Sequence, residues 1–299
     1  MFYKLLIGAG GIAALAFSAV AATAGGSILW TNATLVAEMD VPTDHVETSG
    51  DAEVVARGKL LADHVSICAG CHGEDLGGKD YLDVDGLLHI YTPNITSAGV
   101  TADYTDDDWV RAIRHGVRPD GTGIPMMATK NLIHLSEADL GAVISYVKTV
   151  PPVERELPET EIHLLGRMLW TAGVFELIAA RDVDHDQPFR TPERAKTIAY
   201  GDYIAWNAGC HDCHGEGLSG GHIAGTPSDF PEPANITPGG IGDWTFAHFN
   251  AAVRGGISKD GHQLDPLMPS RRYAGLPDTE MTALWMYIQQ VPSGEYGNF

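Results

Sequence analysis

Cysteine is scarce in this chain: four in 299 residues. That excludes a disulfide-built scaffold and a thiol-rich cytosolic enzyme. Positive charge is scarce too. Nineteen Lys and Arg stand against 39 Asp and Glu, a formal net charge of −20. Nucleic acid and anionic lipid headgroups would be repelled, so neither is expected as a partner. A basic protein partner, or plain solvation, suits the charge. No Ser-His-Asp set and no P-loop appears, so nothing points to hydrolysis or phosphoryl transfer. The chain does hold 44% hydrophobic and 19% charged residues, the balance of a globular protein. Its length allows two domains of ordinary size plus extra segments. Its 35 Gly and 17 Pro imply long irregular connections between helices.

The N-terminus carries the one long hydrophobic run. From Leu5 to Trp30 there is no charge, over 26 residues. A secretory signal core is shorter, at roughly 7–15 residues, whereas a bilayer span needs about 20. The expectation is an uncleaved transmembrane anchor over residues 1–31. A signal peptide cleaved after Ala22-Thr23-Ala24 is the alternative. Both export the rest of the chain. The Gly8-Ala9-Gly10-Gly11 cluster could let another helix approach closely.

The remainder repeats itself at an offset of about 141 residues. Cys68-x-x-Cys71-His72-Gly73-Glu74 matches Cys210-x-x-Cys213-His214-Gly215-Glu216. Asn94-Ile95-Thr96 matches Asn235-Ile236-Thr237, and Asp108-Trp109 pairs with Asp243-Trp244. Arg114-x-Gly116-Val117 matches Arg254-x-Gly256-Ile257, Asp120-Gly121 matches Asp260-Gly261, and Pro125-Met126-Met127 matches Pro266-Leu267-Met268. Each half ends in a helical stripe followed by Val-Pro. The stripes are Leu140, Val143, Ile144, Val147 and Met281, Leu284, Trp285, Ile288, with period 3.6; they read as core. Ser136 is the expected N-cap of the first. Further helices should run into each Cys pair, over Ala52–Val65 and Pro192–Trp206. The expected organisation is therefore mainly α: a linker at 32–52, a domain at 53–153, a linker with an apolar helix at 154–195, a second domain at 196–293 and a tail at 294–299. The apolar stretch Ile162–Ala180 is too polar for a span because of His163, Arg167 and Glu176. It should pack between the domains or lie in a membrane interface.

Cys-x-x-Cys-His is the c-type haem attachment motif. Two thiols one helical turn apart can add to the two vinyl groups on one porphyrin edge. The His that follows then brings its imidazole to the iron. The chain spends all four Cys on two such motifs, so two covalently bound haem c groups are expected, on Cys68, Cys71, His72 and on Cys210, Cys213, His214. A thioredoxin-like redox pair would want a βαβ setting, which is absent. A zinc site built from the four thiols would leave the two His unexplained. A soft thioether is a common sixth ligand. Met127 and Met268 are the candidates, because their separations from His72 and His214 are 55 and 54 residues. Met126 is the rival at the first site. Met as core filler remains the bland alternative. Arg114 and Arg254 recur and could fork onto haem propionates or make ordinary salt bridges. His211 and Asp212 should face outward. Trp109 and Trp244 should be packing residues. His64, His89, His115 and His134 should be surface or satisfied polar groups.

With these motifs the sequence resembles membrane-bound multihaem class I cytochromes c, such as the cytochrome subunits of periplasmic alcohol and gluconate dehydrogenases. The resemblance spans roughly residues 53–153 and 196–293. It implies two tandem class I cytochrome c domains behind an N-terminal transmembrane helix, with His72 and His214 as proximal ligands and Met127 and Met268 as distal ones. It also implies an electron-transfer protein rather than an enzyme, in the inner membrane with its haem domains in the periplasm. A dehydrogenase or quinol-oxidising complex would be the donor; a cytochrome, an oxidase or a photosynthetic reaction centre would be the acceptor. The chain departs from that group in having two motifs where three are usual, and Ala128 where Pro would follow Met127. A dihaem peroxidase or thiosulfate-oxidising enzyme is the alternative reading, and a structural subunit of a larger membrane complex is another.

Overall fold

The computed structural model describes residues 22–190 and 192–297. The expected N-terminal membrane helix at 1–31 lies mostly outside the described residues. Its described part is helical, and this helix, α1, covers residues 22–35. Among the described residues no helix is long and apolar enough to cross a membrane.

The first repeat begins with α2 (Ala52–His64), started by the Asp51 side chain accepting from the Glu53 amide. A single turn, α3 (Cys68–His72), comes next. α4 (Asp106–Val110) runs into a π-helical turn at Arg111–His115. A short α5 (Thr129–Leu132) then leads to the closing helix α6 (Glu137–Thr149). As expected, Ser136 caps α6 by accepting from the Asp139 amide. Between the repeats lie α7 (Leu164–Thr171) and a 3-10 turn at Ala179–Asp182. The second repeat has α8 (Ile198–Asn207), α9 (Cys210–His214), α10 (Pro238–Ile241), α11 (Phe246–Gly255), α12 (Ser270–Tyr273) and α13 (Asp278–Ile288). α8 starts six residues later than the sequence suggested, where Thr197 caps it.

In each repeat the first and closing helices cross at a glycine. A Cβ on Gly58 would meet the Ala142 carbonyl oxygen at 1.9 Å, and one on Gly201 would meet that of Ala283 at 2.0 Å. These crossings tolerate no side chain. Gly58→Ala or Gly201→Ala should each cost about 1–3 kcal/mol, the usual penalty for overpacking a dense core. Thermal unfolding of the single variants would show it as a lowered midpoint.

A strand pair was not expected. β1 (Lys79–Val84) and β2 (Leu88–Thr92) form an antiparallel hairpin, and β3 (Glu161–Ile162) adds to the far edge of β2. The turn holds Asp85-Gly86, with Gly86 at φ 72°, a dipeptide suited to hairpin turns. The hairpin buries Leu88 and Ile90 against Trp170, Leu177 and Ile178 in a small second core. The apolar segment 162–180 is thus partly consumed in packing onto the first repeat.

The structure also corrects one registration. Thr105 and Thr245 are equivalent N-caps, each making a capping box. Trp109, four residues into α4, therefore corresponds to Phe249 and not to Trp244. Trp109 and Phe249 are both buried, while Tyr104 and Trp244 are both half-buried against the same core. The shared Asp-Trp dipeptide is a coincidence of sequence.

The two repeats are packed together, and one buried apolar cluster runs through both. At its centre Arg57 and Tyr200 stand at equivalent places, each one residue before the crossing glycine. Arg57 donates to Asp139 at 2.7 Å, to Glu280 at 3.0 Å and to the Tyr200 hydroxyl at 3.1 Å. Arg194 also pairs with Glu280, and Tyr203 donates to Asp139 at 2.7 Å. Glu280 is fully buried. Burial pushes its carboxyl up, but the Arg194 guanidinium and the Tyr200 hydroxyl outweigh that and hold it below the ordinary carboxylate range. A depressed carboxylate stabilises the fold at pH values above its unfolded-state value, and that stability is lost as pH falls through the folded-state value. Glu280→Gln should therefore destabilise at neutral pH, toward the low end of the roughly 3–5 kcal/mol for breaking a buried pair, since Arg57 keeps Asp139. The deficit should shrink on acidification, and urea unfolding at pH 7 and at pH 4 would measure it.

Candidate functional site

Each Cys pair is carried by one isolated helical turn, so both thiols and the His project from the same short segment. A residue in the left-handed region opens each turn: Ile67 at φ 43° and Gly209 at φ 71°. Gly70 and Asp212 amides then bond to the Ile67 and Gly209 carbonyls, at 2.7 and 3.2 Å. Cys68 and Cys210 are half-buried against the core cluster, whereas Cys213 is exposed.

The loop beyond each motif is fixed by the same set of ties in both repeats, although only the first carries the β1–β2 hairpin. The Gly78 and Gly220 amides reach the His72 and His214 carbonyls at 2.8 and 2.9 Å. Leu76 and Leu218, both at positive φ, accept from the Ile95 and Ile236 amides at 3.0 Å. Asn94 and Asn235 fold onto their own loops: each side-chain oxygen accepts from the amide and hydroxyl of the Thr two residues on. Each Asn amide reaches the chain beyond the closing helix, at Val153 and Gly294. The Asn-Ile-Thr repeat therefore clamps the loop that faces each motif.

That loop fixes the imidazoles. His72 Nδ1 lies 2.9 Å from the Pro93 carbonyl oxygen, and His214 Nδ1 lies 2.7 Å from that of Ala234. A carbonyl can only accept, so Nδ1 carries the proton and Nε2 keeps its lone pair. Burial holds both rings below the ordinary His range, hence neutral. A neutral imidazole oriented through its second nitrogen is what a metal ligand requires.

The methionine segments are equally parallel. Gly116 and Gly256 end the preceding helices at φ 64° and 67°, accepting from the Ile124 and Leu264 amides. A Cβ on Gly116 would lie 2.2 Å from Thr129 Oγ1, which is why the Arg-x-Gly pattern recurs. Met127 and Met268 are half-buried against the core cluster. Their predecessors Met126 and Leu267 are exposed, and Met126 sits at φ 60° with its amide bonded to Leu177.

Arg114 and Arg254 have protein acceptors. Arg114 is buried, donates to the Ile133 and Gln187 carbonyls, pairs with Asp44 at 3.3 Å and stacks on Phe189. Arg254 donates to Asn250, to the Leu276 carbonyl and to Asp278. Both guanidinium groups are engaged in tying the helix before the Met segment to the chain after it. His115 is fully buried, with its Nδ1 3.0 Å from that of His185.

His211 is not outward-facing. It is buried, stacks on Trp206 at 3.9 Å and bonds to the Glu216 carbonyl. His134 of the first repeat lies on the same indole at 4.5 Å. Asp212 is met by Asn131 of the first repeat at 2.5 Å. In return Arg272 of the second repeat forks onto Glu74, at 2.5 and 2.9 Å, and His64 bonds to the Arg272 carbonyl at 2.7 Å. So the helix after each Met touches the segment carrying the other repeat's motif. Nothing in the residue pattern signals this cross-contact, which depends on how two copies pack.

The donor set fits haem and not the alternatives. Each motif supplies two thiols one turn apart and a neutral oriented imidazole, and Met127 and Met268 lie half-buried against the same core. Burial pushes the Cys68 and Cys210 thiols up to about 12, the reverse of what a redox-active thiol needs. Among the described residues no group of three or more His, Cys, Asp or Glu could hold a free metal ion.

The cytochrome c family profile matches residues 55–151 and again 198–292. The chain is 24% identical to the fructose dehydrogenase cytochrome subunit of Gluconobacter japonicus, over 84% of this chain and 55% of that protein. It is 35% identical to the alcohol dehydrogenase (quinone), cytochrome c subunit, of Gluconobacter oxydans (strain 621H), over 65% of this chain and 45% of the relative. A 39% identity to the gluconate 2-dehydrogenase cytochrome c subunit of Pantoea cypripedii covers 30% of this chain and 22% of that one. The chain thus spans about half, or less, of the length of these relatives.

Proposed function

The chain belongs to the cytochrome c family, and on that premise we propose that it takes single electrons from a membrane-associated dehydrogenase on the periplasmic side and passes them to a further redox protein. As a dihaem cytochrome c it is an electron-transfer protein with two covalently bound haem c groups. Haem supplies a one-electron couple when bound. The protein's part is to set its ligands and shield it.

We assign Cys68, Cys71 and His72, and Cys210, Cys213 and His214, to attachment and proximal ligation. Met127 and Met268 are assigned as distal ligands. The observation that carries the reading is the repeated tie from each His Nδ1 to a backbone carbonyl, which leaves Nε2 of each ring available to hold the haem iron. Met127 and Met268 would complete the two ligand sets and leave no position for a substrate, so the haem groups would supply outer-sphere electron transfer. Arg114 and Arg254 are assigned to holding the Met segments. The names of the relatives support a dehydrogenase as donor; an oxidase, a soluble cytochrome or a reaction centre would be the acceptor. The uncharged run Leu5–Trp30 supports attachment to the inner membrane.

Purification from detergent-solubilised native membranes tests this. A dehydrogenase subunit should accompany the chain, and its substrate should reduce both haem bands. Purification alone with rapid consumption of peroxide would favour the peroxidase reading instead.

A further inference from the structure

Helix α1 is inside-out. Its buried side is polar: Ser27, Thr31 and Thr34 are 3%, 0% and 6% exposed, at the i, i+4, i+7 spacing of one helix face. Its outer side carries a run of exposed apolar residues, flanked by Thr23 and Asn32: Leu29 is 74% exposed, and Ile28 and Trp30 about 40%. The polar face is satisfied by the protein. Thr31 donates to the Ser27 carbonyl and receives Arg167 of α7 at 2.6 Å, and Arg167 also reaches Asn32.

α7 shares part of this pattern, although it also buries Trp170. Its charged residue turns inward, onto α1. Gly166 lies against the Leu87 carbonyl, where a Cβ would come within 2.2 Å, and Trp170 is buried, edge-on to Trp30 at 5.4 Å. Leu164 and Leu165 are left half-exposed on the outer side. A water-facing helix pair would show the opposite pattern. In sequence, the chain leading into α1 carries no charge back to Leu5.

We propose that α1 and α7 together form a shelf that seats the first haem domain on the bilayer, with Ile28, Leu29, Trp30, Leu164 and Leu165 immersed in the interfacial region. The inference rests on the reading of Leu5–Trp30 as an anchor, and adds a second contact some 130 residues further along the chain. Trp at the level of the headgroups suits such a contact. The partner is the apolar layer of the membrane and not its anionic headgroups, because the net charge of −20 would oppose the latter.

With all four Cys held in haem linkages, an introduced Cys is the one free thiol of the holoprotein. Full-length Leu29→Cys, Leu165→Cys and, as a control at the exposed Ala138 of α6, Ala138→Cys would carry a spin label in phosphatidylcholine nanodiscs. Labels at 29 and 165 should collide with oxygen several-fold more, relative to an aqueous nickel complex, than the label at 138. If the protein floats with vesicles yet the label at 165 behaves like that at 138, the shelf is overturned and the anchor stands. A label at 165 shielded from both reagents would mean a protein covers the face, and overturns the lipid assignment. If the full chain does not float with vesicles, both readings fall.

Discussion

Cys210→Ala/Cys213→Ala should yield a chain lighter by the mass of one haem, with half the haem absorbance per protein and a damaged second domain. Without the two thiols nothing links a porphyrin to residues 210–214, and His214 alone offers a single bond. The first motif has ties of its own besides those to Arg272: α3 is held by its loop through the tie from Gly78 to His72 and the clamp from Asn94 to Val153. It should keep its haem. The domains do share a continuous apolar cluster in which Cys210 and Met268 take part, so the loss should not stay local. Removing the haem assigned to these side chains would leave a void. A void in a core costs about 24 cal/mol per Å3, and thermal unfolding should move down even for the part that keeps haem. Intact mass, alkaline pyridine absorbance and a melt measure the three effects. Two haems retained on the double variant would remove the second motif from the attachment site.

The sequence made the chemistry legible because covalent attachment needs fixed spacing. Cys68, Cys71 and His72 had to lie on one turn, and they do. The helical stripes of α6 and α13 were legible for the same reason, since a period of 3.6 marks a buried face. The hairpin was signalled by Asp85-Gly86 and by the alternation of β2, but β1 is irregular and mostly exposed. The pairing of Asp108-Trp109 with Asp243-Trp244 misled because identity of letters outweighed position relative to the caps Thr105 and Thr245. The cross-contacts of Asn131 with Asp212 and of Arg272 with Glu74 depend on the docking of two domains, which no local pattern encodes. His211 was misjudged because Trp206 of its own repeat stacks on it, with His134 of the first repeat on the same indole.

Replacing the distal thioethers should produce the largest electronic effects while leaving haem content at two. Met268→Ala should lower the potential of one haem, and Met127→Ala that of the other, because a thioether stabilises Fe(II) against Fe(III). The shift should be a substantial part of the roughly 0.8 V over which axial ligands set haem potentials. The thioether-to-iron charge-transfer band in the far red should fall by half in each single variant and vanish in the double. Met126→Ala is the control that separates ligand from neighbour. Its side chain is exposed where that of Met127 is half-buried on the core, and its equivalent in the second repeat is Leu267, which has no sulfur. Met126→Ala should therefore leave both potentials and the band intact. A potentiometric titration followed in the visible spectrum decides the matter: if Met126→Ala removed half of the band and Met127→Ala did not, the first iron's ligand would be the exposed methionine and the parallel between the repeats would fail at this position.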